Sequence, residues 1–176
     1  TVGDYNDMLI TMASASKSFN LAACQNSFII IPNEEMRKSF SDFLAKMSLD
    51  DVNGFGHIAT EAVLRHGEAW LDEALDVIYG NYRYLKQRFE AECPKVKITE
   101  LEGTYLVWMD FAAFCSTQDE VVDLIQHRCK IAMDYGGWFG STEGNTFARM
   151  NIATSRENVK EACDRIINTL KEEKSR

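Results

Sequence analysis

The spacing of hydrophobic positions changes several times along the chain, and each change predicts an element. Residues 8–13 (Met-Leu-Ile-Thr-Met-Ala) form a short apolar run that passes into the small residues Ser14-Ala15-Ser16, as a buried strand delivers a loop. Residues 27–31 read as a second strand, closed by Pro32-Asn33. Asn33 predicts the cap of a helix whose stripe is Met36, Phe40, Phe43, Leu44 and Met47. A turn-rich loop over residues 50–56 leads to a helix through Ile58, Ala62 and Leu64 that stops at Gly67. One long helix then runs from about residue 68 to 91, with Trp70, Ala74, Val77, Ile78, Asn81, Leu85 and Phe89 on one face.

Beyond Pro94 the pattern shifts. Residues 95–101 and 104–111 predict two strands joined through Glu102-Gly103. Thr117 with Glu120 forms a capping box for a helix bearing Val121, Leu124 and Ile125. Residues 131–133 and 147–153 are further strands, and Thr154 with Glu157 is a second capping box. It opens a final helix striped by Val159, Ala162, Cys163, Ile166, Ile167 and Leu170. The second half thus reads β-β-α-β-β-α, a compact α+β unit. The first half offers too few strands for a doubly covered sheet and predicts part of an incomplete layer.

Composition narrows the function class. With 45% hydrophobic and 26% charged residues the chain is typical of a soluble globular protein. Its net charge of −8, with both signs mixed along the chain, argues against nucleic acid or an anionic membrane as the main partner. The longest apolar run, Phe28-Ile29-Ile30-Ile31, is strand-sized. Cys24, Cys93, Cys115, Cys129 and Cys163 show no CxxC spacing and read as reduced, mostly packed thiols of a cytoplasmic protein, with no metal site. His57, His66 and His127 form no ligand spacing either. The start at Thr1-Val2-Gly3, just before a strand, suggests a fragment.

The chemistry concentrates in Ser14-Ala15-Ser16-Lys17-Ser18-Phe19-Asn20-Leu21-Ala22. Small neighbours let a planar ligand approach, hydroxyls donate to a phosphate, and an amine at a strand end can act as nucleophile and base. Local composition alone still favours an ordinary surface-loop lysine. A wider resemblance changes that balance. The segment resembles the cofactor-lysine motif of fold-type I pyridoxal-phosphate (PLP) enzymes, within the class I/II aminotransferase superfamily. It is most similar to the branch of MalY/PatB-type cystathionine β-lyases (C–S lyases). Further segments agree in order: Ser27-Phe28-Ile29-Ile30-Ile31-Pro32, Gly67-Glu68-Ala69-Trp70-Leu71-Asp72, residues 102–110 (Glu-Gly-Thr-Tyr-Leu-Val-Trp-Met-Asp), and residues 140–153 ending Phe147-Ala148-Arg149-Met150-Asn151-Ile152-Ala153.

The resemblance implies an α/β fold: the C-terminal portion of the aspartate-aminotransferase-like PLP transferase fold. Residues 1–67 would be the incomplete C-terminal part of the large domain, 68–93 an interdomain helix and 94–176 a small α+β domain. It implies PLP as cofactor, a small amino acid as substrate, a homodimer, and a missing N-terminal half that completes the site. Lys17 would hold PLP covalently and later take the substrate Cα proton. Ser14 and Ser16 would bind the cofactor phosphate, and Arg149 would grip the substrate α-carboxylate with its planar fork. Tyr105 would line the cleft or simply pack.

Two positions depart from the wider family: Gln25 stands where many aminotransferases have a phosphate-binding arginine, and Ala23 where glycine is usual. Gln25 is compatible with the C–S lyase branch. Gly136-Gly137-Trp138-Phe139-Gly140 with Gly144 lacks phosphate-loop spacing and reads as a turn beside the cleft. Residues 53–56 (Asn-Gly-Phe-Gly) either reach a neighbouring subunit or start a helix. The implied reaction is C–S β-elimination. The alternatives are transamination by the same lysine and arginine, a mainly partner-binding role, and a fragment with no enzymatic role.

Overall fold

The computed structural model describes residues 3–51, 53–140 and 145–174, and the chain divides into two units, Thr1–Asp72 and Glu73–Arg176. In the first, β1 (Thr11–Ala13) pairs antiparallel with β2 (Phe28–Ile30), Met12 opposite Ile29. A 3-10 turn over Ala22–Cys24 lies between them in sequence. Helices α1 (Glu34–Lys46) and α2 (Gly54–His66) follow. Asn33 and Asn53 are their caps, their side chains accepting from the Met36 and Phe55 amides at 2.9 and 3.1 Å. Residues 53–56 therefore form a helix start. β1 is shorter than its apolar run predicts, because residues 4–8 are a turn.

Helix α3 (Glu68–Glu92) carries the chain onward from the first unit. In the second unit, β3 (Lys97–Ile98), β4 (Leu106–Asp110), β5 (Asp134–Tyr135) and β6 (Phe147–Asn151) form an antiparallel sheet in the order β3-β4-β6-β5. Helix α4 (Gln118–Val122) and α5 (Arg156–Lys174) complete the order expected from the sequence. One continuous core joins Tyr82, Leu85 and Phe89 of α3, Val107 and Met109 of β4, and Ala148 and Met150 of β6 with the α5 stripe from Val159 to Leu170. Burial alternates along β4 and β6 with the two-residue strand period.

Four local features differ from the expected ones. Residues 131–133 are not a strand; the sheet pairing begins at Asp134. α4 widens into a π-type turn over Asp123–Arg128, with the Cys129 amide donating to the Leu124 carbonyl at 2.9 Å. At α5 the capping hydroxyl is Ser155, which accepts from the Asn158 amide at 3.4 Å, while Thr154 accepts from the Asn158 side chain. At α4 the predicted box forms in altered shape. Thr117 accepts from the Glu120 amide, and Glu120 accepts from the Ser116 amide instead of that of Thr117.

Candidate active site: a lysine loop and an arginine strand

The expected site residues fall in two places, one in each unit. In the first unit Lys17 sits on the turn that leaves β1, between the Phe19 amide bonded to the Ala15 carbonyl (3.0 Å) and the Leu21 amide bonded to the Ser16 carbonyl (2.9 Å). The turn is pinned from three sides. Ala15 is buried beneath it, and Phe19 packs its ring on Trp70 with centroids 6.1 Å apart. Gly67 allows this, since a Cβ there would stand 2.6 Å from the Phe19 ring. Gly56 brings α2 equally close to the 3-10 turn, because a Cβ there would stand 2.5 Å from the Cys24 carbonyl oxygen. Asn53 Nδ2 donates to that same carbonyl, and Thr60 Oγ1 donates to Asn26 Oδ1.

On this frame the hydroxyls of Ser14 and Ser16 lie 2.9 Å apart. Ser14 Oγ also lies 2.8 Å from the Asn26 carbonyl oxygen and accepts from the Ser16 amide at 3.1 Å. A serine has one proton, and the carbonyl can only accept, so the Ser14 proton goes to Asn26 and Ser16 donates to Ser14. Lys17 is exposed, and among the described residues its amine has no hydrogen-bond or ionic partner. The loop therefore combines an uncommitted primary amine with two hydroxyl donors within four residues. That set suits a phosphorylated aldehyde: the amine can bond the carbonyl carbon, and the hydroxyls can turn toward phosphate oxygens. Gln25, in the left-handed region at φ 47°, closes the neighbouring 3-10 turn.

In the second unit Arg149 lies in β6, flanked by β4 and β5, opposite Trp108 on one side and Asp134 on the other. Arg149 and Asn151 face away from buried Met150 and Ile152, as the alternation predicts. The guanidinium donates from Nε (3.2 Å) and Nη2 (2.6 Å) to Asp134 Oδ2. Its Cζ lies 4.3 Å from the centroid of the Phe139 ring and 5.8 Å from that of Trp108. Trp108 meets both Phe139 and Phe147 edge to face. The side chain retains 24% of its surface, and among the described residues Nη1 has no hydrogen-bond partner. On the opposite face of β5, burial pushes the Tyr135 phenol above its ordinary pKa.

Tyr105 is half-buried, packs against the core, and accepts from the Ile152 amide through its carbonyl. It shares the parity of core residues Val107 and Met109, opposite to that of Trp108. Gly136–Trp138 forms a 3-10 turn after β5, while Gly144 lies outside the described residues. Asp134, Trp108 and Phe139 were not foreseen as neighbours of Arg149; the register of β5 on β6 is what assembles them. The three histidines are exposed, and among the described residues no cluster of His, Cys, Asp and Glu is placed to hold a metal. No described helix is long and apolar enough to cross a membrane.

Comparison with known proteins agrees with the resemblance read from the sequence. The family model for aminotransferases of class I and II matches residues 1–166. The cystathionine β-lyase PatB of Bacillus subtilis is 33% identical over 163 residues, which are 93% of this chain and 42% of PatB. Cystalysin from Treponema denticola, solved with pyridoxal 5′-phosphate, superposes with a TM-score of 0.89 at 33% identity, covering 95% of this chain and 42% of cystalysin. A PLP-bound protein assigned as an aminotransferase from Clostridium difficile gives the same TM-score at 31% identity, covering 94% and 43%. The chain thus spans about 42% of the length of the curated relatives it matches. It belongs to the class I and II aminotransferase family of PLP-dependent enzymes, and its α/β fold is a portion of theirs.

Proposed function

We propose that the protein carrying this chain is a PLP-dependent C–S β-lyase, which converts a sulfur amino acid and water to a thiol, pyruvate and ammonia. The observation that carries the reading is the exposed Lys17 amine, without a partner among the described residues, on an anchored turn that also carries the paired Ser14 and Ser16 hydroxyls. When bound, PLP supplies the electron sink that stabilises a negative charge at the substrate Cα.

Each residue then has a separable task. Lys17 Nζ would hold the cofactor covalently and would take the substrate Cα proton. Ser14 and Ser16 hold the cofactor phosphate, Ser14 by turning its hydroxyl from the Asn26 carbonyl. Arg149 grips the substrate α-carboxylate through the N–H groups that Asp134 leaves open. Loss of the Cα proton and departure of a thiolate from Cβ complete the elimination. In this reading residues 1–67 belong to the large domain, 68–93 link the domains and 94–176 form the small one. The active form is a cytoplasmic homodimer that also contains the N-terminal half of the fold.

Transamination uses the same lysine and arginine, and the aminotransferase from Clostridium difficile keeps it as the second reading. Product analysis on the full-length protein separates the two. With cystathionine or cysteine and no oxo-acid acceptor, a lyase releases thiol and pyruvate in equal amounts. Amino transfer that requires an added oxo acid, without thiol release, would replace the lyase reading with the second.

A further inference from the structure

Arg149 is held along one edge by a residue whose own position is fixed by strand register. Tyr135 pairs with Ala148 and is buried, so the alternation of β5 puts Asp134 on the other face, opposite Arg149. There Asp134 Oδ2 receives the Nε and one Nη2 hydrogen, and Phe139 covers a face of the guanidinium. Of five N–H donors three remain on Nη1 and Nη2, and one from each forms the outer edge that fits the two oxygens of a carboxylate.

Resting on the reading of Arg149 as the substrate-carboxylate group, we propose that Asp134 is its positioning residue. Asp134 locks the guanidinium edge and plane, so that substrate meets an arm whose freedom is already restricted. Two oppositely signed effects follow from that contact. Orientation strengthens the grip, whereas the Asp134 charge opposes an incoming carboxylate. The geometry favours orientation, because the contact occupies the inner edge, and among the described residues the outer one has no hydrogen-bond partner. If Asp134 were instead a plug that substrate must displace, its removal would tighten binding.

The test uses full-length, PLP-loaded protein and the variants Asp134→Ala, Asp134→Asn and Arg149→Ala. Asp134→Ala should raise KM for the sulfur amino acid roughly ten- to hundredfold, the scale of a hydrogen bond to a charged group. Its kcat should stay within roughly threefold, since the lost interaction serves binding and not the chemical step. Asp134→Asn keeps an oxygen at the same place and should recover most of the loss. Calorimetric titration with propionate supplies a readout independent of turnover and should weaken in the same order. If Asp134→Ala fails to fold, Asp134→Ser, too short to reach the guanidinium, carries the same expectation. Unchanged or tighter propionate binding in these variants, with Arg149→Ala weakened, overturns the Asp134 assignment alone. Unchanged propionate binding in Arg149→Ala overturns the arginine reading beneath it.

Discussion

Phe43 and Ile166 occupy equivalent places in their helices, each on the apolar stripe its sequence period predicts, yet Phe43 is 57% exposed and Ile166 is fully buried. The contrast runs through both units. Helix α1 buries none of its residues, and Met8, Met12, Ile30, Phe55 and Ile58 are all exposed. The α5 stripe, by contrast, disappears entirely into the core with β4, β6 and the second half of α3. Helix α3 repeats the difference within one element: Trp70 and Val77 are exposed, while Asn81, Leu85 and Phe89 are buried. An apolar stripe therefore states that a face requires a partner; it does not place the partner within the same stretch of chain. The unit that carries the lysine has the chemistry without the core, and the unit that carries the arginine has both.

Separating the units should give the largest difference between them. Residues 73–176 expressed alone should unfold in one cooperative transition, because they contain the whole core. Residues 1–72 alone should show none, since a pair of three-residue strands is marginal without a packed layer. A sharp melt of the shorter piece would show that its exposed stripes find one another.

Single substitutions in the 176-residue chain probe the same contrast at smaller scale. Phe89→Ala removes a fully buried ring from the core and should cost about 3–5 kcal/mol in urea unfolding. Phe43→Ala should move that transition by no more than about 0.5 kcal/mol. Equal effects would mean that α1 shares the core.

Thiol reactivity gives the smallest difference. Burial pushes the Cys163 thiol up to about 11, and the side chain lies in the core. Half-buried Cys24 should therefore alkylate first at pH 8, with Cys163 modified only on unfolding. The Cys163 shift also has a sign for stability. Its folded value lies above the ordinary 9.0, so its contribution is complete below pH 9 and is lost as pH rises toward 11. Mass-mapped alkylation at both pH values checks this.

Sequence patterns were most informative where burial is local. The order of elements in the second unit, its α5 stripe and the alternation around Arg149 all followed from spacing, because both partners of each contact lie in the same unit. The strand expected at residues 131–133 failed for a physical reason. Ile131 and Met133 are apolar because they pack on the core, and the Ile131 amide closes the preceding turn on the Ile125 carbonyl. Apolar composition records burial, whereas strand identity depends on pairing, which starts only at Asp134. The same displacement hid the Asp134–Arg149 contact, since a cross-strand partner cannot be named before the register is known. Lys17 stood out through the ordered family resemblance and not through its local composition, and its anchoring by Phe19, Gly67 and Trp70 required the fold.

Chemical trapping decides whether Lys17 is the residue that bonds the cofactor. Full-length protein reconstituted with PLP should be reduced with borohydride, digested and mapped by mass spectrometry. A reduced pyridoxyl adduct should appear on Lys17, and none at that position in a Lys17→Ala variant. An adduct on another lysine, or a protein that takes up no PLP, would contradict that assignment.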